Sequence, residues 1–177
     1  LIKKIIKKNK KIIIIAPTNI HSFKDFTLKD HLEDLIDYIL NKTQFSLVVR
    51  PHPSNRFEKY FWKIFLKYRN NDRFNFDFSN NYLSTYLNSE FMITDISGTA
   101  FTYSFLTKNP VIFYIKSRKL IIKNKFNNLN YSKDIKKIGL QYNSIKNFHR
   151  ALDIVLKKKI LFKKNINFLI KKKMKYL

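Results

Sequence analysis

The chain has 177 residues, 45% of them hydrophobic, and 36 Lys and Arg against 12 Asp and Glu give a net charge of +24. That length and apolar content suit one ordinary domain with a real core and exclude a disordered chain. Cys is absent, which excludes disulfides and thiolate metal sites, and no apolar run approaches the roughly 20 residues of a bilayer-spanning helix.

The charge admits two kinds of partner: a polyanion such as nucleic acid, or an anionic membrane surface, to which each surface Lys adds about 1 kcal/mol. Abundant Lys, Asn, Ile, Phe and Tyr beside scarce Gly, Pro and Ala is also what an AT-rich coding sequence imposes on any fold. Residues 1–11 lack the apolar core of a signal peptide, so a cytoplasmic protein, soluble or peripheral on the membrane, is expected. The first residue is Leu1, which leaves room for a preceding segment.

In chain order, residues 11–16 form a β-branched run ended by Pro17, the pattern of a strand buried on both faces of a parallel sheet. A helix follows over 27–40, opened by Thr27 and Asp30 as a capping box, with Leu28, Leu32, Leu35, Ile36, Ile39 and Leu40 on one face. Residues 45–50 form a second strand. It is stopped by Pro51-His52-Pro53, because two prolines flanking one residue fix an extended turn and hold His52 rigidly at the strand tip. Phe57, Phe61, Ile64, Phe65 and Tyr68 recur at helical spacing beside Trp62, a stripe that reads as core rather than as a stacking platform. Residues 73–78 alternate as a short strand, and 80–87 suit a short helix.

The segment from Phe91 to Tyr114 is one βαβ unit: an apolar strand, the turn Asp95-Ile96-Ser97-Gly98-Thr99, an apolar helix, and a strand started by Pro110. Residues 116–132 read as a long basic loop with a strand candidate at 120–122. Residues 138–140 read as a turn, and Ile145, Phe148, Leu152, Val155 and Leu156 mark an amphipathic helix capped by Ser144. The segment 158–177 is a basic helix or tail. Five strands alternating with helices predict a doubly wound α/β sheet.

In such a sheet the strand tips share one edge, and ligands sit in the crevice beyond it. That edge gathers Thr18, Arg50, His52, Asp95, Ser97, Gly98 and Thr99. Gly98, one of only 2 glycines, stands between two hydroxyls at a predicted helix start, where free backbone N–H groups favour a phosphate. An ordinary N-cap by Ser97 or Thr99 would leave the same local pattern. His52 suits a phosphate ligand or a general acid that helps a leaving group depart, and a structural histidine is the competing role. The His residues show no metal spacing and no Asp-x-Asp pair exists, so neither a metal nor another cofactor is predicted. Gly-x-x-x-x-Gly-Lys and Gly-x-Gly-x-x-Gly are both missing, which removes the usual supports for nucleotide hydrolysis and dinucleotide redox chemistry.

Ala16-Pro17-Thr18 after a β-run, Val49-Arg50-Pro51-His52-Pro53, and Thr94-Asp95-Ile96-Ser97-Gly98-Thr99 before Pro110-Val111-Ile112-Phe113-Tyr114 together resemble the C-terminal half of the CDP-glycerol glycerophosphotransferase family, over about residues 11–156. Bacterial sialyltransferases carry similar His-Pro and Ser-Ser/Thr pairs. The resemblance implies that residues 1–177 are a single Rossmann-like nucleotide-donor-binding domain, half of a GT-B architecture and a fragment of a larger protein. It further implies a transferase that moves glycerol phosphate or a sugar from a nucleotide-linked, CDP-type donor to a polymer or lipid-linked acceptor in teichoic acid or capsule synthesis. Arg50 and His52 become donor-phosphate contacts, with His52 able to assist departure of the nucleotide. Ser97, Gly98 and Thr99 become the phosphate cradle, and Asp95 and Thr18 supporting groups. Many family members have Ser-Ser where this chain has Ser97-Gly98, so backbone must replace a side-chain contact. The general base is expected in the other half, so this segment alone should bind a donor without turning it over. Two rival functions are a UDP-GlcNAc 2-epimerase-like enzyme and a non-catalytic polyanion binder, with nucleic acid the less favoured partner.

Overall fold

The computed structural model describes residues 11–21, 24, 26–117, 119 and 130–174. Six strands form one all-parallel sheet: β1 (Ile12–Ala16), β2 (Ser46–Val49), β3 (Phe74–Phe76), β4 (Ser89–Thr94), β5 (Val111–Tyr114) and β6 (Gly139–Tyr142), in the spatial order β3-β2-β1-β4-β5-β6. The isoleucine run of β1 is buried along its whole length, as a central parallel strand between two helical layers requires. Its last residues pair Ile15 with Val49 on one side and Ala16 with Thr94 on the other. The order reverses at β1, so the topological switch point lies between the tips of β1 and β4.

The helices are α1 (Leu32–Lys42), α2 (Lys59–Tyr68), α3 (Leu83–Leu87), α4 (Thr99–Thr107), α5 (Asn130–Ile138), α6 (Ile145–Lys157) and α7 (Lys159–Met174). One layer joins α1 to α2 through Tyr68 Oη on Asp37, and α1 to α6 through the edge-on rings of Tyr38 and Phe148. The other layer packs α7 against α4 and α5. No helix among the described residues is long and apolar enough to cross a membrane.

Several sequence expectations shift. The sheet has six strands rather than five, because residues 139–142 form β6 where a turn was expected. A glycine is needed there, since any Cβ at Gly139 would run into the Val111 carbonyl of the neighbouring strand. Helix α5 begins inside the segment read as a loop, and the strand candidate at 120–122 lies outside the described residues. The first helix starts only at Leu32, after a 3-10 turn over Leu28–His31 in which Thr27 accepts from the Lys29 N–H. Residues 80–82 lie outside α3. Phe57 precedes α2 and is 79% exposed, so the aromatic stripe begins in the core only at Phe61. Leu156 is exposed, and Ser144 opens α6 with its backbone carbonyl rather than with a side-chain cap.

Candidate functional site

The carboxyl-terminal edge of the sheet is assembled loop by loop. Beyond β4, Asp95 is 0% exposed and accepts the Thr18 N–H at 2.9 Å and the Leu28 N–H at 2.8 Å. One carboxylate therefore clamps both ends of the β1 loop to the β4 tip across the switch point. Burial drives its pKa upward, hydrogen bonds from Leu28, Thr18 and the Thr27 hydroxyl pull it down, and the balance stands at about 7. Thr18 is itself buried, and its N–H belongs to this clamp.

Beyond β2, Arg50 is only 9% exposed. Its Nη1 donates to Asp77 at 2.6 Å and its Nη2 to the Ser79 carbonyl at 3.0 Å, tying the β2 tip to the β3 tip. Burial would raise the pKa of Asp77, but hydrogen bonds from Ser79 and Thr85 and the Arg50 charge outweigh it and hold the carboxyl below its ordinary value. Where the sequence predicts a phosphate contact, Arg50 stands as the cation of a buried ion pair.

His52 is half-buried, with Pro53 opening the 3-10 turn Pro53–Asn55. Its Nδ1 accepts the Ser54 N–H at 3.2 Å, which in the neutral ring leaves the proton on Nε2 as a donor. The same turn buries Asn55, whose Oδ1 accepts the Ile20 N–H at 3.1 Å and so ties the β2 loop to the β1 loop.

At the start of α4 two of the three first-turn bonds are long, Thr99 N–H to Ser97 Oγ and Ala100 N–H to Ser97 O, both at 3.4 Å, while Phe101 N–H to Gly98 O is 3.1 Å. Gly98 is exposed with a φ of −64°, and a Cβ built on it meets nothing within 4 Å. Neither conformation nor crowding within the chain thus demands glycine at 98, and open space lies over the helix N-terminus. Thr99 Oγ1 shares a 2.6 Å hydrogen bond with Tyr86 Oη, and the Ser97 N–H donates to Tyr131 Oη at 3.0 Å.

Farther along the same edge, a cavity of about 330 Å³ opens beyond β5 and β6, lined by Ile115, Ser117, Gln141, Tyr142, Asn143 and Asn147. At its rim Asn147 Nδ2 donates to Asn143 Oδ1 at 2.8 Å, and the Tyr142 hydroxyl is buried with no hydrogen-bond partner among the described residues. The strand tips thus bring Thr18, Arg50, His52, Asp95, Ser97, Gly98 and Thr99 to one edge. Arg50, Asp95 and Thr18 are bonded into the loops, and His52, Ser97, Gly98 and Thr99 reach its accessible surface. Sequence reasoning missed Asp77, Asn55, Tyr86, Tyr131 and the β5–β6 cavity; the only local hint was the polarity of residues 141–147. Among the described residues no group of three His, Cys, Asp or Glu is placed to hold a metal ion.

A parallel sheet in this order, with helices on both faces and a polar crevice at its switch point, defines a Rossmann-like α/β domain. The family model for CDP-glycerol:poly(glycerophosphate) glycerophosphotransferases matches residues 3–173, and the chain belongs to that family. Among solved structures it is similar to a histidine-to-asparagine variant of the wall teichoic acid polymerase TagF, at 20% identity and TM-score 0.63, over 93% of this chain and 42% of that one. A histidine-to-alanine variant of TagF gives 22% and 0.59, over 93% and 41%. The UDP-GlcNAc 2-epimerase of Methanocaldococcus jannaschii, in complex with UDP-GlcNAc and UDP, gives 14% and 0.57, over 96% and 48%. These likenesses show the fold, and the chain spans less than half the length of each of these structures. A comparison with curated proteins finds no match.

Proposed function

We propose that this chain is the donor-binding domain of a transferase that moves glycerol phosphate, or a sugar, from a CDP-linked or other nucleotide-linked donor to a cell-surface polymer such as teichoic acid or capsule. Family membership supports the class, and the observation that carries the site is the open N-terminus of α4 at Gly98, beside the switch point. The donor diphosphate lies over Gly98, against the weakly bonded amides of the first turn and the hydroxyls of Ser97 and Thr99. The nucleoside runs along the edge to the β5–β6 cavity, two strand spacings or about 10 Å away, where amide side chains match the hydrogen-bonding edge of a base.

In glycerophosphate transfer, an acceptor hydroxyl attacks the phosphorus that carries glycerol, and the bond from that phosphorus to the oxygen of the nucleoside monophosphate breaks. Negative charge grows on that leaving oxygen. The His52 Nε2–H and the α4 amides offset it by hydrogen bonding, and His52 in this way assists departure of the nucleotide while keeping its proton. The proton of the acceptor hydroxyl goes to a base supplied by the acceptor-binding half, so this domain alone binds without turnover. Arg50, Asp95 and Thr18 hold the loops that present His52 and Gly98. No metal or other cofactor enters the proposal.

Titration calorimetry with CDP-glycerol, CMP and UDP-sugars tests it. CDP-glycerol should bind, and His52→Ala should weaken it by about tenfold to a hundredfold, the worth of one hydrogen bond to a charged group. Binding to none of the three sinks the donor site. Preference for a UDP-sugar, with isomerisation and no acceptor needed, would favour the epimerase-like reading that the third structural likeness suggests. Steeply salt-dependent RNA or DNA binding that survives His52→Ala and Ser97→Ala would favour a polyanion binder.

A further inference from the structure

Tyr131 grips Ser97 through both of its backbone groups. From the first turn of α5 its hydroxyl accepts the Ser97 N–H at 3.0 Å and donates to the Ser97 carbonyl at 3.3 Å. The ring lies edge-on to Phe101 of α4, 5.4 Å away. Burial raises the hydroxyl pKa above its ordinary value, so the group stays protonated and serves as donor and acceptor together. The same Ser97 carbonyl also accepts the Ala100 N–H, at a long 3.4 Å.

A peptide unit is planar, and in the trans form its C=O and N–H point in opposite directions. The Ser97 carbonyl and the Gly98 N–H share one such unit, so turning the carbonyl toward Tyr131 turns the Gly98 N–H away from it. Gly98 stands at φ −64°, yet glycine takes positive φ about as readily, so rotation of this one peptide is open to it where a side chain would resist. Rotated, the unit would show an anion a carbonyl oxygen in place of an amide. We propose that Tyr131 is a positioning residue for the donor diphosphate: its hydroxyl selects the orientation of the 97–98 peptide in which the Gly98 amide faces a phosphate. The inference rests on the donor reading above, and Tyr131 acts in it through the backbone and not on the substrate. Tyr86 holds the Thr99 hydroxyl at 2.6 Å and has no bond to this peptide.

The chain has only 2 glycines, so labelling glycine with heavy nitrogen reduces the amide NMR spectrum to Gly98 and Gly139. In the full chain without ligand, Tyr131→Phe should shift or broaden the Gly98 signal and leave Gly139 in place. Tyr68→Phe, which removes a tyrosine hydrogen bond at the far end of α2, should move neither. Donor affinity follows the fraction of chains in the competent orientation. CDP-glycerol should therefore bind Tyr131→Phe about threefold to thirtyfold more weakly, the worth of one to two hydrogen bonds. In a Gly98→Ala background, where the added Cβ disfavours positive φ, the same substitution should cost less than about twofold. Phenylalanine keeps the packing on Phe101, and thermal melts should show every variant folded. An unmoved Gly98 signal in Tyr131→Phe, or an equal loss of affinity in the Gly98→Ala background, would overturn the inference. So would tighter binding, which would mean that the hydroxyl covers the Ser97 amide against the donor. If the unaltered chain binds no CDP-glycerol, the donor reading falls, and the ligand-free glycine spectrum still decides whether Tyr131 sets the peptide.

Discussion

The two ends of the sheet's carboxyl-terminal edge are built on different plans. From β3 to β1, and at the buried Asp95 of the β4 tip, the buried polar groups are spent on the loops: Arg50 meets Asp77, Asp95 holds the Thr18 and Leu28 amides, and Asn55 Oδ1 holds the Ile20 amide. From the start of α4 to β6 the edge is more open, with open space at Gly98, two long bonds in the first turn of α4, and a polar cavity beyond β5 and β6. Charge therefore works here mainly to lock loops, and the groups left for a ligand are neutral donors. A neutral, fixed donor set suits an anion whose charge grows during reaction, because it needs no reorganisation at that moment.

The largest test strikes the closed end. Arg50→Ala leaves Asp77 charged and buried, and should cost about 3–5 kcal/mol of stability in urea denaturation. A drop in donor affinity with the melt unchanged would mean instead that Arg50 serves the ligand. Asp95→Asn comes next at about 2–3 kcal/mol, because one of the two backbone amides would then face an NH₂ donor in place of an acceptor.

The pH dependence sharpens that second test. The Asp95 carboxyl titrates near 7 when folded against 3.8 when free, so the native state binds the proton more tightly. Its contribution is fully present below the free value and is lost as pH rises towards and through 7. Asp95→Asn should remove that slope in a series of denaturation curves. Asp77, held below its ordinary value, acts in the other sense: its contribution is present above the free carboxylate value and is lost as pH falls through the lowered folded value.

At the open end the expected effects on stability are small. Tyr142→Phe removes a buried hydroxyl with no partner among the described residues, so stability in urea denaturation should hold or rise, since no hydrogen bond is lost. Gly98→Ala should be neutral or stabilising by about 0.4–1 kcal/mol, since its φ of −64° suits any residue and its Cβ meets open space. Loss of donor affinity in that variant with an unchanged or raised melting temperature would place the phosphate over Gly98. Equal affinity would move it elsewhere.

Much of the edge was legible in the sequence, because each strand tip announces itself within a few residues. The isoleucine run ending at Pro17, the Pro51-His52-Pro53 stop and the Ser97-Gly98-Thr99 turn are local patterns of periodicity and backbone constraint, and each lies where it was expected. Strand β6 was not legible: it has one glycine and two polar-tipped residues in four, and it exists because Val111 admits a close neighbour.

By itself the sequence determined the alternation of strands and helices, since buried strands and amphipathic helices follow from side-chain period. It also determined the family, through motifs that lie at those strand tips. The tertiary structure alone decided which polar groups remain free. Arg50 finds Asp77 across 27 residues, Ser97 finds Tyr131 across 34, and Asp95 finds Leu28 and Thr18 across 67 and 77. Local pattern does not extend over such separations, and partners at that distance are fixed only when the strand order brings their loops together at one edge.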